Sequence, residues 1–153
     1  MARRQVFRET TGANVTLADA AFIGGTAQPA SGGSNLSQVQ LFNPSDSGTR
    51  LFVFRVRVRS VGGTIVYSDT TPLATLTTDA TNKLVTASAS APNAEIRRGT
   101  ATVPKGGSKQ EGITEIIQTD IPIVIDPGTG LNVEGATANQ ECGALFEWVE
   151  GIV

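Results

Sequence analysis

The chain has 153 residues, and 12 Lys and Arg stand against 14 Asp and Glu, for a formal net charge of −2. This length predicts one domain with a sizeable core, and the near-neutral charge argues against a broad nucleic-acid footprint, which needs surplus cations. The sequence has no His and only one Cys, Cys142, which excludes intramolecular disulfides, thiolate zinc clusters, His-ligated metals and His-based catalytic triads. We therefore expect neither a metal nor a cofactor.

Residues 1–35 are predicted to form an N-terminal arm and linker. Residues 5–8 have the composition of a short strand, and residues 16–22 of one or two helical turns. The following stretch, IGGTAQPASGGSN, is rich in Gly, Ser, Ala and Pro and is typical of a flexible connector. Two interpretations stay open: a tether that becomes ordered on a partner, or simply a frayed terminus or wandering edge strand.

The central feature is the segment from Leu36 to Ser60, in which two apolar strands flank a turn made of Asn, Pro, Ser, Asp and Gly. After the turn, residues alternate with a period of two, which is the pattern of a strand. We predict that one set of alternate residues packs in a core and that the other faces outward. The core set is Phe52, Phe54, Val56 and Val58, and the opposite set is Leu51, Val53, Arg55, Arg57 and Arg59.

Further strands are predicted along the rest of the chain, and Phe146 and Trp148 are expected to anchor the core from the last of them. Pro122 predicts that its strand lies at the edge of a sheet or that Pro122 is the first residue of the strand. About eight to ten short strands with regular turn signals favour an all-β fold, a single β-sandwich of jelly-roll or Greek-key type over residues 36–153. The predicted strands are 64–68, 94–98, 113–119, 121–125, 131–134 and 144–149.

Carboxylates are the only groups left for acid–base catalysis. Asp120 and Asp126 flank one predicted strand, and Glu147 and Glu150 lie near the C-terminus. Glycosidases use two carboxyl groups at a fixed separation, but no spacing here marks such a pair, and one Trp and one Tyr are few aromatic platforms for a sugar site. We predict that the chain is not an enzyme and rank a carboxylate-dependent β-sandwich enzyme last.

Two groups of residues are candidate partner-binding sites. Arg55, Arg57 and Arg59 form a row of about 13 Å on one strand face, from a rise of ~3.3 Å per residue. This row either pairs with acidic groups on a partner or belongs to a solvated outer face with cross-strand ion pairs. The second group lies on the arm and consists of Arg3, Arg4, Phe7 and Arg8.

Two parts of the chain resemble small structural proteins of tailed-phage virions. They are the hairpin LSQVQLFNPSDSGTRLFVFRVRVRS and the later block IPIVIDPGTGLNVEG with its terminal aromatic strand ALFEWVE. Phage head-decoration (cement) proteins and tail-associated modules are similar in being single jelly-roll-like sandwiches with Gly- and Thr-rich loops, few Cys and an extended arm. The resemblance covers residues 36–68 and 113–150 and implies oligomeric packing on a capsid or a tail.

The expected function is therefore that of a non-enzymatic cement or decoration protein, which stabilises a phage capsid shell through its sandwich and its arm. Its partners would be the major capsid protein, further copies of itself, or both, since symmetry repeats weak contacts many times. The alternative is a tail, collar or fibre module that contacts a receptor or neighbouring tail proteins. No signal peptide or membrane span is predicted, so we expect synthesis in the host cytoplasm, residence in the virion, and no direct contact with nucleic acid or membrane.

Overall fold

A computed structural model describes residues 21–78, 80–82, 91–110 and 114–152. Within these residues the chain forms two antiparallel sheets packed together, so the predicted all-β sandwich is confirmed. None of the described residues belongs to a helix long and apolar enough to cross a membrane. The predictions made for residues 1–20, including the partner-binding role of Arg3, Arg4, Phe7 and Arg8, lie outside the described residues.

The two sheets use strands from along the whole described chain. The strands are β1 (Ala21–Gln28), β2 (Leu36–Asn43), β3 (Thr49–Ser60), β4 (Thr64–Asp69), β5 (Thr75–Leu76), β6 (Ala80–Asn82), β7 (Glu95–Ala101), β8 (Ser108–Gln110), β9 (Thr114–Ile125), β10 (Thr129–Gly135) and β11 (Cys142–Ile152). One sheet has five strands in the order β6-β1-β11-β3-β9, and the other has six in the order β5-β7-β2-β10-β4-β8.

The strand order is that of a jelly roll, which the sequence could not distinguish from other Greek-key sandwiches. β1 pairs with β11, β2 with β10, β3 with β9 and β4 with β8, all of them antiparallel. The first four strands thus pair in reverse order with the last four, as in a long hairpin rolled into two sheets. β5, β6 and β7 come between these halves and widen the sheets beyond β2 and β1.

The core fills the space between the inner faces of the two sheets. The predicted anchors Phe146 and Trp148 are both fully buried, and Phe22 of β1 stacks on Trp148 with ring centroids 5.8 Å apart. Cys142 is also buried, as free Cys side chains commonly are. The facing wall comes from the six-stranded sheet and includes Val39, Leu41, Ile96, Leu131 and Val133.

The glycine-rich stretch predicted to be a connector is partly a strand. Residues 21–28 form β1, which lies inside the five-stranded sheet between β6 and β11. This glycine content serves close packing, because a side chain at Gly25 would collide with the backbone carbonyl of Ala144 on β11. The helical turns predicted for residues 16–22 are also corrected at their end, since Ala21 and Phe22 are extended. The connector is reduced to residues 29–35.

β3 buries a different set of side chains from the one that its alternation predicts. Leu51 and Val53 face the core and are 0% and 1% exposed, whereas Phe52 and Phe54 are only partly buried. The cause is a β-bulge: Val53 is opposite Trp148 and Arg55 is opposite Glu147, so Phe54 is an extra residue between two successive pairs. The extra residue reverses the phase of the strand. The prediction for Val56 and Val58 is confirmed, and that for Phe52 and Phe54 is wrong.

β9 is one strand, although the sequence predicts two. Its register against β3 passes directly from Gln118 opposite Arg55 to Ile123 opposite Val53, so residues 119–122 bulge out of the ladder at the same level as Phe54. Pro122 lies in this bulge, and β9 is the edge strand of its sheet, as Pro122 predicts. The two irregularities face each other and bend the sheet at one point.

The reversed phase of β3 predicts unequal costs for two neighbouring truncations. We expect Leu51→Ala to lower the free energy of unfolding by about 2–5 kcal/mol, because it leaves a cavity between the sheets. Phe52→Ala should cost clearly less, although it removes more atoms, because the ring lies on the outer face. Denaturant unfolding followed by the fluorescence of Trp148 measures both values. A larger loss for Phe52→Ala than for Leu51→Ala would contradict the assigned phase.

Candidate functional site

Three arginines leave the five-stranded sheet on its outer side, directly after the bulge in β3. Arg57 and Arg59 are exposed, and the residues that alternate with them, Val56, Val58 and Ser60, are buried. We call this surface the arginine face: Arg55, Arg57 and Arg59 with their cross-strand neighbours on β11 and β9. The structure therefore places together the three residues that the sequence predicts as a row.

The cross-strand neighbours of the three arginines differ. Arg55 lies between Glu147 and Gln118, Arg57 between Leu145 and Ile116, and Arg59 between Gly143 and Thr114. The row thus passes from a polar environment at Arg55 to an apolar one at Arg57. Only the first arginine has a carboxylate directly opposite.

The ion pairing of the three arginines follows the polarity of their neighbours. Arg55 Nη1 lies 3.0 Å from Glu147 Oε2, and its Nη2 donates to Gln118 Oε1 at 3.4 Å. Within the part of the chain that the structure describes, neither Arg57 nor Arg59 has an acidic partner. The two interpretations of the row therefore divide between its members. Arg55 is held by a cross-strand ion pair, whereas Arg57 and Arg59 are exposed and have no acidic partner among the described residues.

Apolar side chains of β9 border the arginine face. Ile116 is 54% exposed, Ile121 72% and Val124 44%, and Val124 lies opposite the partly buried Phe52. Arginine beside apolar and aromatic side chains is the composition found in protein–protein interfaces, where Lys and acidic residues are depleted. The surface is suited to a partner that offers acidic groups next to an apolar patch.

The outer face of the six-stranded sheet is built differently. Gln38, Gln40, Asn132 and Glu134 are fully or almost fully buried, although they alternate with the core residues of their strands. Connecting segments at residues 70–74 and 102–107 lie over them and hydrogen-bond to them. No sequence signal shows that loops cover these polar residues.

The polar side chains of this network hydrogen-bond with one another and with the backbone of the covering segments. Glu134 accepts hydrogen bonds from Gln38 Nε2 at 2.6 Å, from the Tyr67 hydroxyl at 3.3 Å and from the Lys105 backbone N–H at 3.1 Å. Gln40 Nε2 donates to Asn132 Oδ1 at 2.7 Å, and its Oε1 accepts from the Leu73 N–H at 2.9 Å. A buried network satisfied in this way fixes the loops onto the sheet.

The carboxylates considered for catalysis are held apart. Glu147 points outward to Arg55, whereas Glu150 is buried and accepts from the backbone N–H groups of Asn93 and Ala94, both at 3.0 Å, and from the Trp148 indole at 3.2 Å. Asp126 pairs with exposed Arg50 at 2.6 Å. Among the described residues, no three acidic or Cys side chains are grouped so that they could hold a metal ion.

Comparison with protein-family models, with curated proteins and with solved structures found no match. The resemblance to tailed-phage virion proteins therefore stays a hypothesis from the sequence.

The exposure of Arg57 and Arg59 predicts that folding does not need their charges. We expect Arg57→Glu and Arg59→Glu, singly or together, to change the free energy of unfolding by no more than about 0.5 kcal/mol, as is usual for surface positions. Arg55→Ala should cost about 1 kcal/mol, the upper end for a surface ion pair, because the Glu147 side chain that pairs with it is only 16% exposed. Chemical denaturation checks both. A loss above this range for Arg57→Glu would show that the guanidinium has a structural role.

Two buried ionisable groups, Cys142 and Tyr67, predict that the folded chain loses stability at alkaline pH. Burial raises the pKa of Cys142 from 9.0 to about 12, and burial is also the main cause that raises the pKa of Tyr67 from 10.0 to about 12. Each group stays protonated in the folded chain where the unfolded chain would ionise. The contribution of each group to the free energy of unfolding is therefore complete below its pKa in the unfolded chain. It is lost as the pH rises towards its pKa in the folded chain.

We expect the free energy of unfolding to fall between about pH 9 and about pH 12, and to fall less steeply when both groups are removed by Cys142→Ala and Tyr67→Phe. The comparison of slopes matters, since each substitution also has a constant cost that does not depend on pH. Equal slopes for the natural chain and the double variant would contradict the assignment to these two groups.

Proposed function

We propose that the chain is a non-enzymatic structural protein of a virion, of the capsid cement or decoration type. The observation that carries this proposal is the arginine face, where two cations without an acidic partner in the described chain lie beside exposed apolar side chains. The N-terminal arm with Arg3, Arg4, Phe7 and Arg8 adds a second set of cations and an aromatic ring. The partners are the major capsid protein, further copies of this chain, or both.

The physical strength of such a surface comes from repetition. One exposed arginine–carboxylate contact contributes about 0–1 kcal/mol, which is too little for stable binding. A symmetric shell presents the same acidic surface many times, and copies that also contact one another bind with an effective concentration far above that in solution. Attachment should therefore be cooperative and should weaken with salt, because screening acts on exposed charges.

The jelly roll supports the proposal without deciding it. Viral capsid domains and lectins both use this architecture, and one fold serves many unrelated functions. The same face also suits a tail, collar or fibre module. The copy number distinguishes the two: a cement protein occurs in numbers comparable to the capsid protein, whereas a tail module occurs in a few copies per particle. Low copy number in purified virions would overturn the cement role.

Charge reversal tests the role of the arginine face directly. We expect Arg57→Glu with Arg59→Glu to weaken binding to capsid shells that lack this protein by about tenfold or more. Lys105→Glu is the control for the reversal of a single exposed cation, and each single variant, Arg57→Glu or Arg59→Glu, is compared with it, because Lys105 lies over the other sheet. Co-sedimentation at several salt concentrations measures the binding. Equal binding by the double variant and the control would remove the arginine face from the contact.

A further inference from the structure

One edge of the sandwich, β9, is much longer than the other three. Within the described residues the edge strands β5, β6 and β8 have two, three and three residues, whereas β9 has 12 and pairs with β3 alone. Natural sheets shorten their edge strands or place Lys on them, because unpaired backbone N–H and C=O groups pair with other chains. The sequence of β9 contains neither Lys nor Arg. Its bulge at residues 119–122 leaves a regular ladder over residues 114–118.

Apolar side chains lie on both faces of this edge strand. On the outer side of the sheet, Ile116 and Val124 are exposed, and Ile121 in the bulge is exposed as well. On the inner side, Ile117 and Ile123 pack against the core but are only partly buried. A further strand in the same sheet would cover both sets of side chains at once.

We propose that β9 pairs antiparallel with β9 of a second copy of the chain, so that the two five-stranded sheets join across a two-fold axis. In such a contact each copy supplies the same surface. Residues that are opposite each other in an antiparallel pair lie on the same face of the sheet. With the axis at Ile117, this side chain packs against its own copy on the inner face, and Ile116 lies beside Gln118 of the second copy on the outer face.

The charges next to this edge favour a second copy as the added strand. Asp120 of β9 is exposed and, like Arg57 and Arg59, has no ion-pair partner among the described residues. With the axis at Ile117, Asp120 of the second copy lies opposite residue 114, whose neighbour on β3 is Arg59. The two side chains then start two strand spacings apart, about 10 Å, which an extended arginine and an aspartate can bridge.

A shift of the axis by one residue keeps this complementarity. With the axis at Gln118, Asp120 of the second copy lies opposite Ile116, whose neighbour on β3 is Arg57. The two-fold symmetry makes the contact twice in each dimer. In both registers a carboxylate of one copy therefore meets an arginine of the other that lacks a partner in its own described chain.

The contact is small, so the dimer should be weak. A five-residue ladder with its side chains buries less than the ~1,200 Å² of a standard interface, and we expect a dissociation constant of about 10–100 μM. The two-fold axis is perpendicular to the sheet and leaves Arg57 and Arg59 of both copies on one outer face. The dimer thus presents two arginine faces side by side. This inference concerns the isolated protein and does not depend on the proposed function.

Sedimentation equilibrium tests the edge contact with a pair of matched variants. We expect the natural chain to form dimers and Ile116→Lys to raise the dissociation constant about tenfold or more, because a Lys on an edge strand opposes pairing. The control is Leu76→Lys on the edge strand β5 of the other sheet, where Leu76 and Ile116 are both 54% exposed. A monomeric natural chain at about 1 mM, far above the expected constant, would overturn the proposal. Equal dissociation constants for the two variants would overturn it too.

A charge swap tests the orientation of the two copies. Asp120→Arg alone, and Arg57→Glu with Arg59→Glu, should each raise the dissociation constant several-fold, because like charges then meet across the axis. The variant that combines all three substitutions should restore it to within about threefold of the natural value, since opposite charges meet again. A combined variant that dimerises no better than the other two would overturn the antiparallel arrangement.

Hydrogen exchange identifies the backbone that pairs. We expect the amides of residues 114–118 to exchange about fivefold more slowly at about 500 μM protein than at about 5 μM, because only the dimer protects them on the open side. The amides of residues 75–76 at the edge of the other sheet should exchange equally at both concentrations. Equal exchange of residues 114–118 at the two concentrations would overturn the proposal. These measurements contain no capsid, so their failure and a failure of capsid binding are separate results.

Discussion

The β-bulge at Phe54 is the constraint on which the rest of the structure depends. In an uninterrupted β3, the face that buries Leu51 and Val53 would also bury Arg55, Arg57 and Arg59. Burying cations without paired carboxylates costs several kcal/mol for each, far more than a local irregularity in a ladder. The extra residue lets the first half of the strand fill the core and the second half present its cations outward. The opposing bulge in β9 accommodates the same change of phase.

The two outer faces of the sandwich have opposite characters. On the six-stranded sheet, connecting segments cover the strands and Glu134, Gln38 and Gln40 satisfy one another and the loop backbone. That face is closed by internal hydrogen bonds, whose loss would leave buried polar groups without partners. The five-stranded sheet instead leaves Arg57, Arg59 and the apolar residues of β9 exposed. The asymmetry is why the proposed contacts are assigned to this sheet.

Buried polar groups also hold long connections in place. Glu150 binds two consecutive backbone N–H groups and the Trp148 indole, so one carboxylate joins the segment at residues 93–94 to an aromatic core residue. Asn43 similarly donates to the carbonyls of Thr49 and Ile125 and ties β2 to the start of β3 and the end of β9 in the other sheet. From the sequence alone, these polar side chains would be assigned to the surface. Their structural role arises only from what the fold brings to them.

The sequence by itself determined the fold class, the approximate places of most strands, the aromatic anchors of β11 and the outward direction of the arginines. These follow from period-two alternation and turn residues, which are local. It could not determine the phase of residues 51–54, because Leu, Phe, Val and Phe are all apolar and either pair can fill a core. Nor could it show that glycine-rich residues 21–28 form an inner strand. Those outcomes depend on the pairing with β11, about 95 or more residues away along the chain, and only the tertiary structure decides such non-local contacts.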